Sequence, residues 1–179
     1  SSEGEDPNET AVGFNAFKCM NGNIDAPGGY GQYTIRNISC FGSTAKGHRT
    51  LSDLKRGCEN FTVSQCNTYD MNDCHHSTDG SRFGRLINCT GVQQGTQRTT
   101  KNFIEVQGVD IDIENPVYVA THDTTMRGNA GILVTDYVYP SEVGASIPSR
   151  AVTIRNARMT GVNHSAIRFI NTVECEIDK

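Results

Sequence analysis

Short runs that alternate apolar and polar residues recur along most of the chain from Tyr33 onward. Each run ends in Asn, Cys, Gly or Thr before the next one begins. A period of two is typical of β-strands with one buried face. No segment sustains the helical period of 3.6, so we expect an all-β protein. The predicted strands are 33–40, 61–66, 85–89, 103–106, 109–114, 117–120, 132–138, 151–155, 166–170 and 173–177.

The turn residues favour a coil of parallel strands over a series of hairpins. Tight hairpins prefer Asn-Gly or Asp-Gly, and after residue 32 the chain has only Asp79-Gly80. A different phrase recurs instead, in which β-branched residues precede Asn or Gln and then a small residue. Parallel coils would stack these polar residues about 4.8 Å apart, so we expect a right-handed parallel β-helix, with an antiparallel jelly roll as the alternative. The phrase occurs at Asn37, Gln65, Asn88 and Asn156.

The spacing of this phrase suggests coils that each contain three strands. Ile35, Val63 and Ile87 are predicted to be equivalent positions on successive coils. We assign residues 31–179 to the parallel β-helix, as part of a longer chain, and residues 1–30 to an N-terminal extension and glycine-rich lead-in. An uncapped solenoid exposes a sheet edge, so we expect more chain or other subunits to cover its end.

Composition and charge exclude several classes of function. The chain has 179 residues, with 16 basic and 20 acidic side chains interleaved and a net charge of −4. It therefore lacks the basic footprint of a nucleic-acid-binding protein. No apolar run is long enough to insert in a membrane, and no glycine-rich phosphate loop or zinc-type spacing occurs. We expect no cofactor and no metal.

The seven cysteines are an odd number, so they cannot all pair within one chain. Most lie in or beside strand-like runs, where cysteine commonly serves as a small buried apolar residue. We interpret them as free thiols of a protein folded in a reducing compartment. A secreted disulfide scaffold is the alternative.

The phrases around Asn37, Gln65, Asn88 and Asn156, the cysteines and the turn at 77–80 resemble the pectate-lyase-like right-handed parallel β-helix superfamily. Within it, residues 30–177 are most similar to bacteriophage tailspikes. The resemblance implies a homotrimer of the virion tail, made in the host cytoplasm. It also implies that the trimer binds a host capsular polysaccharide or O-antigen and depolymerises it by glycoside hydrolysis or β-elimination. A non-catalytic β-helix adhesin or structural trimer stem is the alternative.

One catalytic pattern of the superfamily is only partly present. Ser77-Thr78-Asp79 is similar to the Asn-Thr-Asp of polygalacturonases. The Asp-Asp, Gly-His-Gly and Arg-Ile-Lys motifs that follow it in those enzymes are missing here. We therefore do not expect a polygalacturonase mechanism.

The densest group of polar side chains lies between residues 70 and 82. Glycoside cleavage needs two carboxyl groups, whereas β-elimination needs a base and a cation. We predict Asp73, His76, Asp79 and Arg82 as catalytic residues, with the first three projecting over one face. Asp70 and His75 are predicted to bind substrate. The alternative is a solvated loop whose acidic residues cap turns, with one histidine packed against the coil.

A second candidate is the acidic run from Glu105 to Glu114. Alternation directs Ile111 and Ile113 inward and leaves Asp110, Asp112 and Glu114 on the outer face. We predict that Glu105 and Asp112 bind substrate in a carbohydrate cleft. The alternatives are a calcium site and an ordinary solvent face balanced by Arg or Lys on the adjacent coil.

Aromatic residues of the later strands are candidate platforms for sugar rings. Tyr137 is predicted to bind substrate, beside Tyr118 and Tyr139 and the loop that contains His122 and Asp123. The alternative role of these tyrosines is packing within the fold.

Overall fold

A computed structural model of the protein describes residues 15–19, 35–47, 50–55, 58–71, 73–94, 102–121, 130–138, 146–162 and 165–178. Within these ranges the chain forms strands and turns and no helix. In chain order the strands are β1 (Asn15–Cys19), β2 (Ile35–Phe41), β3 (Thr44–Lys46), β4 (Thr50–Lys55), β5 (Cys58–Ser64), β6 (Asn67–Tyr69), β7 (His76–Ile87), β8 (Thr90–Gln93), β9 (Asn102–Glu114), β10 (Val117–Ala120), β11 (Ala130–Val134), β12 (Tyr137–Val138), β13 (Ser146–Ile147), β14 (Ser149–Arg155), β15 (Arg158–Thr160), β16 (Ser165–Phe169), β17 (Thr172–Val173) and β18 (Glu176–Asp178).

Parallel pairing winds these strands into a β-solenoid of about four turns with three faces. Face A contains β1, β4, the first half of β7, the first half of β9, β11 and β16. Face B contains β2, β5, the second halves of β7 and β9, β14, β17 and β18. Face C contains β3, β6, β8, β10 and β15. The prediction of an all-β protein built from parallel coils is confirmed, and the only antiparallel pair among the described strands joins β12 to β13.

The register between coils differs from the one predicted. Ile35 pairs with Cys58, and Val63 pairs with Cys40 on one side and with Leu86 on the other. The predicted equivalence of Ile35, Val63 and Ile87 is therefore wrong. The predicted equivalence failed because these strands contain several β-branched residues, and residue type alone does not show which of them pair.

The solenoid includes a segment that the sequence assigned to the lead-in. Asn15 pairs with Thr50 and Cys19 pairs with Leu54, so β1 continues face A by one strand. The sequence did not indicate a strand at 15–19 because Asn-Ala-Phe-Lys-Cys lacks β-branched residues.

The interior is a set of apolar columns that run along the solenoid axis. Alternating residues of each strand point inward, so that Val63, Leu86, Ile113 and Ile154 stack on face B. Each of these four side chains is at most 1% exposed. Burial of such side chains contributes roughly 1.5–3 kcal/mol each, so the columns supply the main force that holds successive coils together.

Polar side chains stack at the corner between faces B and C. Asn115 Nδ2 donates to Asn88 Oδ1 at 2.9 Å, and Asn156 Nδ2 donates to Asn115 Oδ1 at 3.1 Å. The three residues and Gln65 have φ between 51° and 53°, a left-handed conformation that Asn tolerates better than most residues. The predicted polar corner is thus present, with Asn115 as a further member.

Asn37 does not belong to this corner, so its predicted place is wrong. It occupies a kink within β2, at φ 59°, and Gly42 takes the corner position of that coil. Asn60 repeats the kink on the next coil. Sequence alone does not separate the two positions, because both use a left-handed conformation that favours Asn and Gly.

Tight packing between coils requires a glycine in β7. Gly84 lies in register with Phe61 of β5, and a Cβ atom at Gly84 would overlap the Phe61 ring. That ring, which is 1% exposed, fills the space that a larger residue at position 84 would need.

We predict that Gly84→Ala lowers the free energy of unfolding by about 3 kcal/mol, because the added methyl group overlaps a buried ring. The same substitution in a Phe61→Leu background should cost clearly less, since the smaller side chain leaves room. Urea denaturation of the four proteins measures both effects. Equal costs in the two backgrounds would contradict this account of the packing.

Candidate functional site

Two carboxylates from successive coils meet at one cysteine beside face A. The Cys74 thiol lies 3.2 Å from Glu105 Oε2 and 3.8 Å from Asp73 Oδ1. Because both contacts share one sulfur atom, the two oxygens are at most about 7 Å apart, which overlaps the carboxylate spacing of glycosidases. Asp73 and Glu105 are each partly exposed, so a ligand can reach them.

Side chains of β9 hold Glu105 in place. Asn102 Nδ2 donates to Glu105 Oε2 at 3.0 Å, and Gln107 Nε2 donates to Glu105 Oε1 at 3.3 Å. Asn102 is itself fixed, because its Oδ1 accepts from the backbone N–H of Ala130 on the next coil at 3.2 Å. Hydrogen bonds to both oxygens orient the carboxylate.

Asp79 extends this group along face A. It lies in register with Gln107, as Ser77 does with Glu105. Ser77 and Asp79 are partly exposed, whereas His76 and Thr78 are buried. The outer surface of face A therefore brings together three predicted site residues, Asp73, Asp79 and Glu105.

The expectation that Asp73, His76 and Asp79 share one face is wrong for His76. Residues 76–79 belong to a strand instead of a turn, so His76 and Asp79 point to opposite sides of it. The His76 side chain is fully buried, and its Nδ1 lies 2.8 Å from Ser52 Oγ on the preceding coil. We leave His76 out of the proposed reaction.

His75 is also fully buried in the described structure. Its Nε2 lies 3.2 Å from Gln93 Oε1, and its Nδ1 lies 2.7 Å from the Thr68 hydroxyl, which also donates to the Thr90 carbonyl oxygen. Both ring nitrogens therefore have a polar neighbour inside the core. The alternative of a histidine packed against the coil thus applies to both histidines.

Burial makes both histidines resist protonation. Desolvation lowers the pKa of His75 to about 3, and the neighbouring His76 adds to the effect. Desolvation also lowers the pKa of His76 to about 3. Each ring is therefore neutral near pH 7, and charging it inside the core is unfavourable.

The interior beside the histidines is aromatic. Phe103 and Tyr118 stack with ring centroids 4.9 Å apart and an interplanar angle of 5°. His75 makes edge contacts with both rings, so Tyr118, which is buried, serves in packing. The side chain of Tyr137, all of Tyr139 and the loop at 122–129 lie outside the described residues.

The acidic run on face B is balanced by arginines of the adjacent coils. Arg85 Nη2 lies 3.1 Å from Glu114 Oε1, and Arg155 Nη1 lies 3.2 Å from Asp112 Oδ1. Ile111 and Ile113 are buried, as predicted. Asp112 and Glu114 therefore match the alternative of an ordinary solvent face balanced by arginines of the adjacent coils. The predicted role of Asp112 in substrate binding stays a prediction.

The remaining predicted site residues lie away from Glu105. Arg82 is exposed on face B, in register with Glu59 and Val109. Asp70 lies at the corner between faces C and A, where its Oδ1 accepts from the backbone N–H of Gln94 at 2.7 Å. This bond joins two neighbouring coils and gives Asp70 a structural role.

Sequence reasoning missed Cys74, Asn102 and Gln107 as neighbours of the carboxylates. The sequence indicates Cys74 only as a buried thiol, and the two amides belong to no motif. The contact of Cys74 with Glu105 follows from the register in which Ser77 pairs with Glu105, and single-sequence periodicity does not reveal that register. Asn102 and Gln107 belong to the same strand as Glu105, and period-two alternation already places Gln107 beside it.

No family model, curated protein or solved structure matches this chain. The described part of the chain has no helix long and apolar enough to cross a membrane. Among those same residues, no three His, Cys, Asp or Glu side chains cluster as metal ligands would.

We predict that acid destabilises the fold through the two buried histidines. Their folded-state pKa values lie below the ordinary value of 6.5. The unfolding free energy is therefore highest above about pH 6.5, where the histidines are neutral in both states, and it decreases as pH falls because the unfolded chain takes up protons first. The loss reaches about 2 kcal/mol per histidine by pH 5. Urea denaturation between pH 7.5 and pH 5 measures it.

His76→Leu provides the comparison, because leucine cannot take up a proton. The pH dependence of its unfolding free energy should be about half that of the unchanged protein. An unfolding free energy that stays constant from pH 7.5 to pH 5 in the unchanged protein would contradict the burial of these rings.

Proposed function

We propose that this protein is a right-handed β-helix of the tailspike type that binds a host bacterial surface polysaccharide along face A and hydrolyses it. Asp73 and Glu105 are the proposed carboxylate pair. The observation that carries the proposal is the meeting of these two side chains, from successive coils, at the Cys74 sulfur. Right-handed winding is supported by the strong preference for that hand in connections between parallel strands.

The surroundings of the two carboxylates suggest their roles. Glu105 receives hydrogen bonds at both oxygens, which fix its orientation as the proposed base or nucleophile. Asp73 is then the acid that protonates the leaving oxygen. Hydrolysis is favoured over β-elimination, because His76 is buried and Arg82 lies on face B instead of beside Glu105.

The shape of face A suits a linear polymer. Equivalent outer positions repeat about every 4.8 Å along the axis. Ser77, Glu105 and Leu133 form one row and Asp79 and Gln107 lie in the next, so a polysaccharide parallel to the axis meets polar groups together with one apolar side chain. Asp79 and Gln107 lie next to each other in register and are the proposed contacts for sugar hydroxyls beside the cleavage point.

A homotrimer in the virion tail completes the proposal. Two large aromatic side chains support subunit contact, because Phe41 and Phe83 are 66% and 49% exposed. Exposed aromatic residues are typical of interfaces. Light scattering should give three times the chain mass, and a monomer would contradict this part of the proposal.

A non-catalytic adhesin or structural stem is the second candidate. It is favoured by the ion pairs that join coils across face B, such as Arg155 with Asp112 and Arg85 with Glu114. There, charged residues that the sequence suggests as a binding cleft pair with arginines of the neighbouring coils. On this alternative the chain binds polysaccharide without cleaving it.

We predict that Asp73→Asn and Glu105→Gln each lower the rate of polysaccharide cleavage by at least about 100-fold, because each removes a group that transfers a proton or attacks the sugar. The assay is release of reducing ends from capsular polysaccharides and O-antigens. Glu59→Gln is the matched control, since it removes a carboxylate of face B that pairs with Arg36, and its rate should stay within about twofold of the unchanged protein.

The outcomes separate the candidates. Full activity in both Asp73→Asn and Glu105→Gln would contradict the assigned pair. An unsaturated, ultraviolet-absorbing product would show elimination instead of hydrolysis. Binding without any cleavage by the unchanged protein would support the adhesin.

A further inference from the structure

Two cysteine side chains from successive coils lie in contact at the corner between faces B and C. Cys40 is near the end of β2, and Cys66 directly follows the corner residue Gln65. Their sulfur atoms are 3.8 Å apart. Both cysteines carry free thiols, so the contact joins one thiol to another.

The two sulfurs are close, although the two residues do not lie directly opposite each other. Cys40 pairs with Val63, and Cys66 follows three residues later, in register with Ser43 of the preceding coil. The sulfurs have to approach from 3.8 Å to about 2.05 Å. Bond formation therefore needs side-chain rotation together with a local shift of the corner at Gln65.

Cys40 is the more reactive thiol of the pair. It retains 7% exposure, whereas Cys66 has none. Cys66 is placed to donate a hydrogen bond to a Cys40 thiolate, and this bond lowers the pKa of Cys40 while raising that of Cys66. The Ser43 hydroxyl, 3.6 Å from Cys40 Sγ, is a further polar neighbour.

We propose that Cys40 and Cys66 form a redox modification site, which a peroxide oxidises to a disulfide between two coils. The Cys40 thiolate attacks one peroxide oxygen, the O–O bond breaks, and Cys40 becomes a sulfenic acid as the other oxygen leaves as hydroxide. The Cys66 sulfur then attacks the Cys40 sulfur, and the S–O bond breaks. The thiol protons end in two water molecules, and two electrons pass from the sulfurs to hydrogen peroxide.

The neighbouring cysteine on the next coil is not part of this reaction. Cys89 Sγ contacts the carbonyl oxygens of Val63 and Ile87 at 3.6 Å and 3.7 Å. Burial raises the pKa of Cys89 to about 11, so its thiolate is scarce at neutral pH. Oxidation therefore stops at one cross-link.

The cross-link fastens the first described coils of face B to each other. It joins residues 26 positions apart, and a disulfide that closes a loop of this length stabilises a protein mainly by restricting the unfolded chain. Among the described strands, β2 pairs with β5 alone, so the cross-link adds a covalent tie to a strand that one described neighbour holds. Oxidation thus strengthens the coils without altering the carboxylates of face A.

The test uses the folded full chain treated with hydrogen peroxide, followed by thiol labelling and peptide mapping under non-reducing conditions. We expect a loss of two hydrogens in mass, a linked pair of peptides that contain Cys40 and Cys66, and a rise in Tm of roughly 5–10 °C that dithiothreitol reverses. Cys89→Ala should retain the linkage, and Cys40→Ala and Cys66→Ala should abolish it and the rise in Tm.

A linked pair other than Cys40 with Cys66 would overturn the proposal, as would labelling that finds both thiols free after treatment. The peptide map of the unchanged protein decides the matter even if a cysteine variant fails to fold. The result is independent of polysaccharide cleavage, because Asp73→Asn should oxidise as the unchanged protein does.

Discussion

Hydrogen bonding between parallel coils is the constraint on which the rest of this structure depends. Each strand pairs with the strand one coil earlier and one coil later, so equivalent residues stack about 4.8 Å apart. The role of a side chain is therefore set by what lies above and below it. Apolar residues form columns, as Val63, Leu86 and Ile113 do, and buried polar residues need partners in the neighbouring coil.

The polar groups of the protein follow this rule in three ways. Asn88, Asn115 and Asn156 satisfy each other along a corner. His75 and His76 take partners from other strands and stay neutral in the core. Arg85 and Arg155 balance the carboxylates of β9, in pairs that are partly exposed and so contribute little each. Asp73 and Glu105 also come from successive coils, but they lie next to a shared thiol, which distinguishes them as a candidate site.

The strand content and the parallel winding could be predicted, because alternation and the recurring asparagine corner are local signals. The register could not be predicted, because the step between equivalent residues varies. It is 23 positions from Arg36 to Glu59, 27 from Asn88 to Asn115 and 41 from Asn115 to Asn156. Inserted loops of different length produce these changes, and a single sequence does not show where the insertions lie.

The candidate site was predicted in part for the same reason. Asp73, Asp79 and Glu105 stand out by residue type, and the fold brings them to one region. His75 and His76 stand out by residue type as well, although their partners Ser52, Thr68 and Gln93 hold them inside. Those partners are distant in sequence, and the strand that contains Ser52 was missed because Thr50–Lys55 offers only two leucines as an apolar signal.

The most direct test of the parallel stacking is a set of backbone nuclear Overhauser effects between β5 and β7. The account predicts contacts at a constant sequence offset, with Phe61 near Gly84, Thr62 near Arg85 and Val63 near Leu86. Contacts whose two residue numbers instead have a constant sum would show antiparallel strands. That result would contradict the solenoid and every contact between coils described above.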